Sequence, residues 1–424
     1  MKILYLAHRI PYPPNKGDKI RSFNEIKYLS HSHEVHLACL ADNGADLIFR
    51  RDLQHYCSRV CVVPLNRTIA KMKSLAVLVN NKPLSVAYFY SPSLQSKVNY
   101  WLSSNCYDAI ICFSSPMAEY ILGSRVSKSK PSYALHFAPC AGRGGPRLIM
   151  DFCDLDSDKW FQYSRQQRFP INLLYRIEHN RLFKYEKKIN QCFDSSVFVS
   201  EQEYDLFSRS HLGARNVSVI PNGVDSEYFS PKPTKPNELN EPNKPNEPVL
   251  LFTGAMDYHA NMDGVTWFVH KIFPLIKQAC PECQFYIVGS SPHAKVADLE
   301  SISQVTVTGF VADTRSYYNA ANVCVVPLRL ARGIQNKVLE AMAMAKATVA
   351  TSKALQGIKA IPKQHALVED TEEGFARAVL TLLGDRRLRQ GLGQRARAFV
   401  KANYTWPTHM KKFETLLKAG PITS

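Results

Sequence analysis

The sequence predicts an α/β protein of two Rossmann-like, doubly wound domains facing across a cleft, and three observations lead there. Short apolar runs alternate with helical sequence in both halves, the rhythm of βαβ units around a parallel sheet. That rhythm stops once, in SPKPTKPNELNEPNKPNEP, and then restarts. At 424 residues the chain is also too long for one typical domain and comfortable for two.

In the first half MKILYLAH is a buried opening strand that runs into the loop RIPYPPNKGDKIR and a helix around Ser22–Ser30. HEVHLACLA, RVCVVPL, DAIICFSS, RLIMDFCDLDSD and DSSVFVSEQE supply further strands, and SVIPNGVD closes the set. The stretch from Ser230 to Pro248 carries Pro231, Pro233, Pro236, Pro242, Pro245 and Pro248 with almost no apolar residues. Such a composition builds no core and reads as an extended linker. The second half repeats the pattern with PVLLFTGAM, the helix GVTWFVHKIFPLIKQA, QFYIVGSSP, VTVTGFV, the helix TRSYYNAA, NVCVVPL and ATVATS. EEGFARAVLTLLGD and LRQGLGQRARAFVKANY follow as helices. The expected domains are therefore 1–229 and 249–400, joined by the linker 230–248, with a last helix in 401–424 crossing back to the first domain.

A formal charge of +17 spread over both halves favours anionic partners such as nucleotides or phospholipid surfaces. No basic run interleaved with aromatics offers a platform for single-stranded nucleic acid, and nucleic acid is not an expected partner. Eleven cysteines are scattered mostly within apolar stretches. CPEC has the spacing of half a zinc site, but no second CxxC or HxxxH accompanies it. MKILYLAH is too short an apolar run for a signal peptide, and no segment reaches the roughly 18 apolar residues of a membrane span. A cytoplasmic chain with reduced thiols is expected.

The stretch LRLARGIQNKVLEAMA, Leu328 to Ala343, carries the chemistry. A strand delivers Arg329 to the carboxyl end of the second sheet, where ligands of such sheets bind. Gly333 lets backbone approach a ligand closely. A helix starting near Asn336 offers amides and a positive dipole end to an anion, with Lys337 as a cation in its first turn. Glu340 lies on a similar face and can accept both hydroxyls of a ribose. The cations would thus take a diphosphate and the acid the sugar of a nucleotide. The plain alternative is a surface helix on which Lys337 and Glu340 only pair with each other.

PNGVD, a strand ending at Gly254, YIVG, VTGFV and PLRLARGIQNKVLEAMA together resemble the nucleotide-sugar-binding half of the family 4 (group 1) glycosyltransferases. These have the GT-B architecture, retain anomeric configuration and need no metal. The opening LAHRIPYPPNKGDKIRSFNEI, MDFCDLDSDKW and GAMDYHANMDGVTWF are similar to the exosortase-associated (PEP-CTERM system) sugar transferase subgroup. The resemblance implies that Glu340 binds the ribose and that Arg329 and Lys337 neutralise the diphosphate. It further implies donor contacts from Gly254, Gly289, Gly309, Phe310, Val311, Gly333 and Ile334. Arg332 stands where the family commonly has an acid that touches the transferred sugar. The family's usual Arg and Lys after the first strand of this domain are replaced by Met256 and Asn261.

In the first half, NKGDKIR sets Lys16, Gly17 and Lys19 at the carboxyl end of the first strand, where the family's loop faces donor phosphates and acceptor. An ordinary βα turn is the alternative. Asp151, Asp154 and Asp156 crowd the end of another strand, with Asp154 and Asp156 on one side of it by alternation. Asp154 would orient an acceptor or donor hydroxyl, unless these acids only cap a helix. DLD imitates a metal-binding DxD, a reading rejected because the phosphate-binding features lie in the other domain; no metal or other cofactor is expected. INLLYRIEHNRLFKYEKKI is a basic amphipathic helix that suits an anionic membrane surface or simply a core face.

The sequence thus implies a retaining glycosyltransferase, peripheral on the inner face of the cytoplasmic membrane. It would move a sugar from a nucleoside diphosphate to a lipid-linked saccharide acceptor in exopolysaccharide synthesis. The alternatives are a nucleotide-sugar epimerase of the same architecture and a non-catalytic nucleotide-sugar-binding scaffold.

Overall fold

The computed structural model describes residues 1–123, 145–211, 213–231, 247–331 and 333–418. The chain divides into two compact units, Met1–Pro221 with Met410–Ser424, and Asn222–His409. The first division falls at Pro221, not at 229, because the residues after it make their contacts in the second unit. Val224 bridges to Thr405, and Phe229 packs into the second unit's core. Residues 232–246, most of the expected linker, lie outside the described residues.

In the first unit the strands are β1 (Lys2–Ala7), β2 (Glu34–Ala41), β3 (Arg59–Pro64), β4 (Ala109–Phe113), β5 (Arg147–Cys153), β6 (Ser195–Phe198) and β7 (Val217–Val219). They form one sheet in the order β3-β2-β1-β4-β5-β6-β7. All its pairings are parallel. Both faces of a parallel sheet must be covered, which is why β1 and β4 are buried along nearly their whole length. One core packs Ile3, Tyr5, Leu37 and Ile111 with Met410, Phe413 and Leu417 of the helix Trp406–Lys418. The other packs Leu4, Leu6, Ile110 and Met150 with Leu94, Val98 and Trp101.

The first helix spans Gly17–Leu29 and so starts earlier than expected, with Asp18 in its first turn complementing the helix dipole. Strand β5 stops at Cys153, whose φ of 63° turns the chain sharply. Asp154 therefore follows the strand, and Asp156 opens the helix Asp156–Gln166. The alternation argument for these two acids fails here, since neither lies on a strand.

The second unit contains β8 (Val249–Thr253), β9 (Gln284–Val288), β10 (Val305–Gly309), β11 (Val323–Val326), β12 (Ala347–Ala350) and β13 (Leu367–Val368). Their order is β10-β9-β8-β11-β12-β13, again parallel throughout. The expected helix over 264–279 is instead a composite: α-helical His259–Trp267, a π-turn Phe268–Ile272, then Phe273–Ala279. Pro274 has no N–H to continue the α-helical ladder, so the widened turn sits just ahead of it. The strand order reverses between β8 and β11, placing the switch point of this sheet at the carboxyl ends of those two strands.

Candidate functional site

At that switch point the segments after β8 and β11 meet. After β11 the chain passes Leu328 and Arg329, turns through Gly333 with φ of 57°, and enters the helix Asn336–Ala343. The turn needs a left-handed conformation that costs glycine little. The helix is amphipathic because Val338, Leu339, Ala341, Met342 and Ala343 are buried, which directs Lys337 and Glu340 away from the core. No side chain of its N-cap residue, Gln335, bonds back to the first turn. The dipole and first amides of this end are thus set to meet an anion.

Lys337 and Glu340 do not simply pair on a surface. The Lys337 ammonium donates to Asn261 Oδ1 at 2.6 Å and lies over the Phe252 ring, 4.8 Å from its centroid. Burial pushes its pKa down to about 8, against a smaller upward pull from Glu340. Glu340 Oε2 accepts from the Tyr318 hydroxyl at 3.1 Å, and that hydroxyl also lies 2.8 Å from Thr253 Oγ1. Burial raises the Glu340 pKa, while Tyr318 and Lys337 favour its charged form. The carboxylate is therefore held in one orientation with one oxygen less engaged. It is placed to accept hydroxyls, as a ribose would offer.

Glycines keep the strand ends beneath this pair clear. A Cβ on Gly289 would lie 1.7 Å from the Gly254 carbonyl oxygen. A Cβ on Gly254 would in turn approach Asn261 and the Lys337 side chain. Gly309 closes β10, and Phe310 beyond it is exposed while Val311 packs inward. Ile334 is buried in the core of the unit and shapes the turn from below. Arg332 lies outside the described residues.

Arg329 stands apart from the Lys337–Glu340 pair. Its guanidinium makes a two-pronged ion pair with Asp263, through Nε at 3.0 Å and NH2 at 2.5 Å, and lies over Trp267. In this state its charge is neutralised by Asp263.

Asn261, Tyr318, Thr253, Phe252 and Asp263 were not predicted as site residues. Asn261 is the most informative, since it touches Lys337 directly. It is buried, donates to the Ala255 carbonyl and orients Lys337. A polar residue in GAMDYHANMD, directly after a strand ending in glycine, was the available signal.

The first-unit candidates separate into interior and exterior groups. Lys16 is the N-cap residue of the first helix, and Gly17, its first residue, is exposed with open space around it. Lys19 is buried in an ion pair with Asp46 at 2.7 Å, so it is not free for an acceptor. Asp151 is wholly buried. It accepts from Arg21 at 3.0 and 2.7 Å and from the Cys153 amide at 2.9 Å. Arg21 also pairs with Glu25, which takes a hydrogen bond from Tyr5 at 2.6 Å. Desolvation and the neighbouring Asp151 raise the Glu25 pKa well above its ordinary value. Asp151 is thus an interior counter-ion, not an acceptor ligand. Asp156 pairs with Lys159 on its own helix, and Asp154 is half-buried in the turn before it.

That turn rests on two buried acids that the sequence reading missed. Glu203 accepts from the Leu155 amide at 2.8 Å and Glu186 from the Ser157 amide at 3.0 Å. Desolvation raises both, to about 8. A second unpredicted group lies after β1, where Asp18 meets His8 at 3.3 Å and Arg9 at 2.7 Å, and Arg9 also bonds Asp42. Hydrogen bonds from His8 and Arg9 and the neighbouring positive charge hold Asp18 well below the usual carboxylate range despite its burial. The basic helix Ile171–Cys192 buries one face through Glu178, Leu182, Glu186, Ile189 and Asn190, while Ile171 and Leu173 in its first turn are exposed. Among the described residues no group of three His, Cys, Asp or Glu side chains could hold a metal ion, and no helix is long and apolar enough to cross a membrane.

Residues 247–385 match the family model described as "Glycosyl transferases group 1". A curated relative, lipopolysaccharide 1,2-N-acetylglucosaminetransferase of Salmonella typhimurium, is 21% identical over 53% of this chain and 62% of its own length. Among solved structures, sucrose-phosphate synthase from Thermosynechococcus elongatus superposes with a TM-score of 0.69 at 19% identity, covering 98% of both chains. Anabaena HepE in complex with UDP and glucose gives 0.67 at 15% identity, covering 99% of this chain and 100% of its own. At these identities the structural likeness establishes the fold, which is GT-B. With the group 1 match, which is confined to residues 247–385, it supports a transferase.

Proposed function

We propose that the chain is a retaining glycosyltransferase that moves a sugar from a nucleoside diphosphate to a lipid-linked saccharide acceptor in exopolysaccharide synthesis, without a metal. The observation that carries this reading is the fixed carboxylate of Glu340, one turn beyond the half-buried Lys337 on a helix whose N-cap side chain makes no capping bond. The ammonium and helix amides would stabilise charge on the departing diphosphate, an electrostatic form of catalysis. The C1–O bond to the diphosphate breaks and the acceptor hydroxyl oxygen bonds C1 on the same face. Its proton passes to the departing phosphate oxygen. Arg329 would add charge once Asp263 releases it. Asp154 would orient an acceptor hydroxyl from its turn, whereas Lys19 and Asp151 are committed elsewhere.

The acetylglucosaminetransferase relative and the UDP complex of the Anabaena protein support a nucleotide-sugar donor and a saccharide acceptor. The motifs LAHRIPYPPNKGDKIRSFNEI and GAMDYHANMDGVTWF carry the narrower assignment to the exosortase-associated subgroup. The test is turnover of a panel of labelled nucleotide sugars with and without membrane lipid extract, in chelator throughout. The expected result is lipid-dependent transfer that gives a product of unchanged anomeric configuration. Isomerised donor formed without lipid would indicate an epimerase, and binding without turnover a scaffold; either sinks the proposal.

A further inference from the structure

We propose that the segment from Arg67 to Val79 docks the first unit onto an anionic phospholipid bilayer. It comprises the helix Arg67–Ala76 and the turn Val77–Val79, neither of which the sequence reading assigned. The helix is well built: the Asn66 side chain caps it by accepting from the Thr68 and Ile69 amides. Its inner face is set by Ala70, which is buried, with Ser74 and Val77 half-buried. The outer face is apolar where a surface helix should be polar. Ile69 is 51% exposed, Met72 67%, Leu75 52% and Val79 90%.

Ile69, Met72 and Leu75 recur every third residue and so form one stripe. At helical spacing Lys73 borders that stripe on one side and Lys71 on the other. No Asp or Glu occurs between Arg67 and Pro83. Arg67 pairs with Asp42 and Lys82 with Glu119, while Lys71 and Lys73 have no ion pair among the described residues. The far end is fixed in place by Arg181, which donates to the carbonyls of Val77, Leu78 and Lys82 at 2.7 to 3.1 Å. The stripe therefore faces solvent from a braced segment.

An apolar stripe between free lysines matches the two layers of an anionic bilayer surface, acyl chains within and phosphates around. The charge pattern commits the proposal to lipid.

The experiment uses the full chain with no donor or acceptor present, so its outcome is independent of the transfer reaction. Sedimentation is measured with vesicles of about 3:1 phosphatidylcholine to phosphatidylglycerol and with phosphatidylcholine alone. Expected are binding to the anionic vesicles and a loss of roughly tenfold or more in Met72→Ser/Leu75→Ser. Lys71→Glu/Lys73→Glu should lose the preference for the anionic vesicles. These positions are exposed, so far-UV circular dichroism should be unchanged in both variants; a third variant, Val79→Ser, lies outside the helix and keeps the test open if either double variant misfolds. Parent-like sedimentation of all three variants, or no vesicle binding by the parent, would overturn the proposal. So would a parent dimer by light scattering that the variants abolish without any vesicle binding, since that would make the face a contact between copies.

Discussion

Lys337 is a cation in a place that disfavours charge. Burial lowers its pKa to about 8, so at neutral pH it is mostly protonated but loses its proton not far above. If the ammonium meets diphosphate, affinity for a nucleoside diphosphate should be full near pH 7 and decline as pH rises through about 8. A Lys337→Met variant should bind more weakly at pH 7 and show little further decline. Calorimetry at pH 6.5, 7.5 and 9 checks this, and a parent whose affinity is flat across the range would remove Lys337 from the phosphate site. The ligand's terminal phosphate itself loses a proton at roughly pH 6–7, so the parent is compared with Lys337→Met at each pH. Much of this residue pair was legible beforehand, because Gly333, Lys337 and Glu340 have a spacing that only a helix start makes meaningful. Its supporting residues were not. Asn261 and Tyr318 come from distant segments, and no local pattern says that they turn toward Lys337 and Glu340.

Among elements, the apolar runs placed nearly every strand because a strand buried on both faces leaves a plain signature. The errors fell where a short-range event ends an element. Cys153 takes up a left-handed φ that a non-glycine sequence does not announce, and this moved Asp154 and Asp156 off the strand. The two-residue β13 and the helix Pro92–Ser104 left too little periodicity to find, although Pro92 sits in the first turn of that helix, where proline is favoured. Two predictions belong to this scale. Gly289→Ala would drive a methyl into the Gly254 carbonyl where β8 and β9 end, so a loss of about 3 kcal/mol or more in unfolding free energy is expected by denaturant titration. Parent-like stability would mean these strand ends are not closely apposed.

The second prediction concerns Glu186, whose carboxylate carries one oxygen with no hydrogen-bond partner among the described residues. Its folded pKa of about 8 lies above the ordinary 4.5. The folded chain therefore holds a proton that the unfolded chain releases, and stability falls as pH rises from about 4.5 through about 8. Glu186→Gln keeps an acceptor for the Ser157 amide and removes this loss. Its melting temperature relative to the parent should rise by about 2–4 °C between pH 6 and pH 9. A constant difference across that range would contradict the protonation assigned to Glu186.

At the scale of the molecule, each unit is a parallel sheet wrapped by helices, and the site follows from the second unit's strand order. The reversal between β8 and β11 brings Gly254, Asn261 and the helix Asn336–Ala343 together at the carboxyl ends of the central strands. The bulk charge of +17 pointed to anionic partners without saying where they bind; Lys337 and the Arg67–Val79 segment are the two places proposed for them. The central claim is that one carboxylate reads the ribose of a nucleotide whose diphosphate lies on the same helix. Its most direct test is calorimetric titration of the parent and Glu340→Ala with a nucleoside diphosphate and its 2′,3′-dideoxy analogue. The parent should bind the analogue about tenfold or more weakly, since a charged hydrogen-bond acceptor contributes about 1.5–3 kcal/mol, and Glu340→Ala should bind both ligands alike. Equal affinity of the parent for the two ligands, or a ribose preference that survives in Glu340→Ala, would contradict the account.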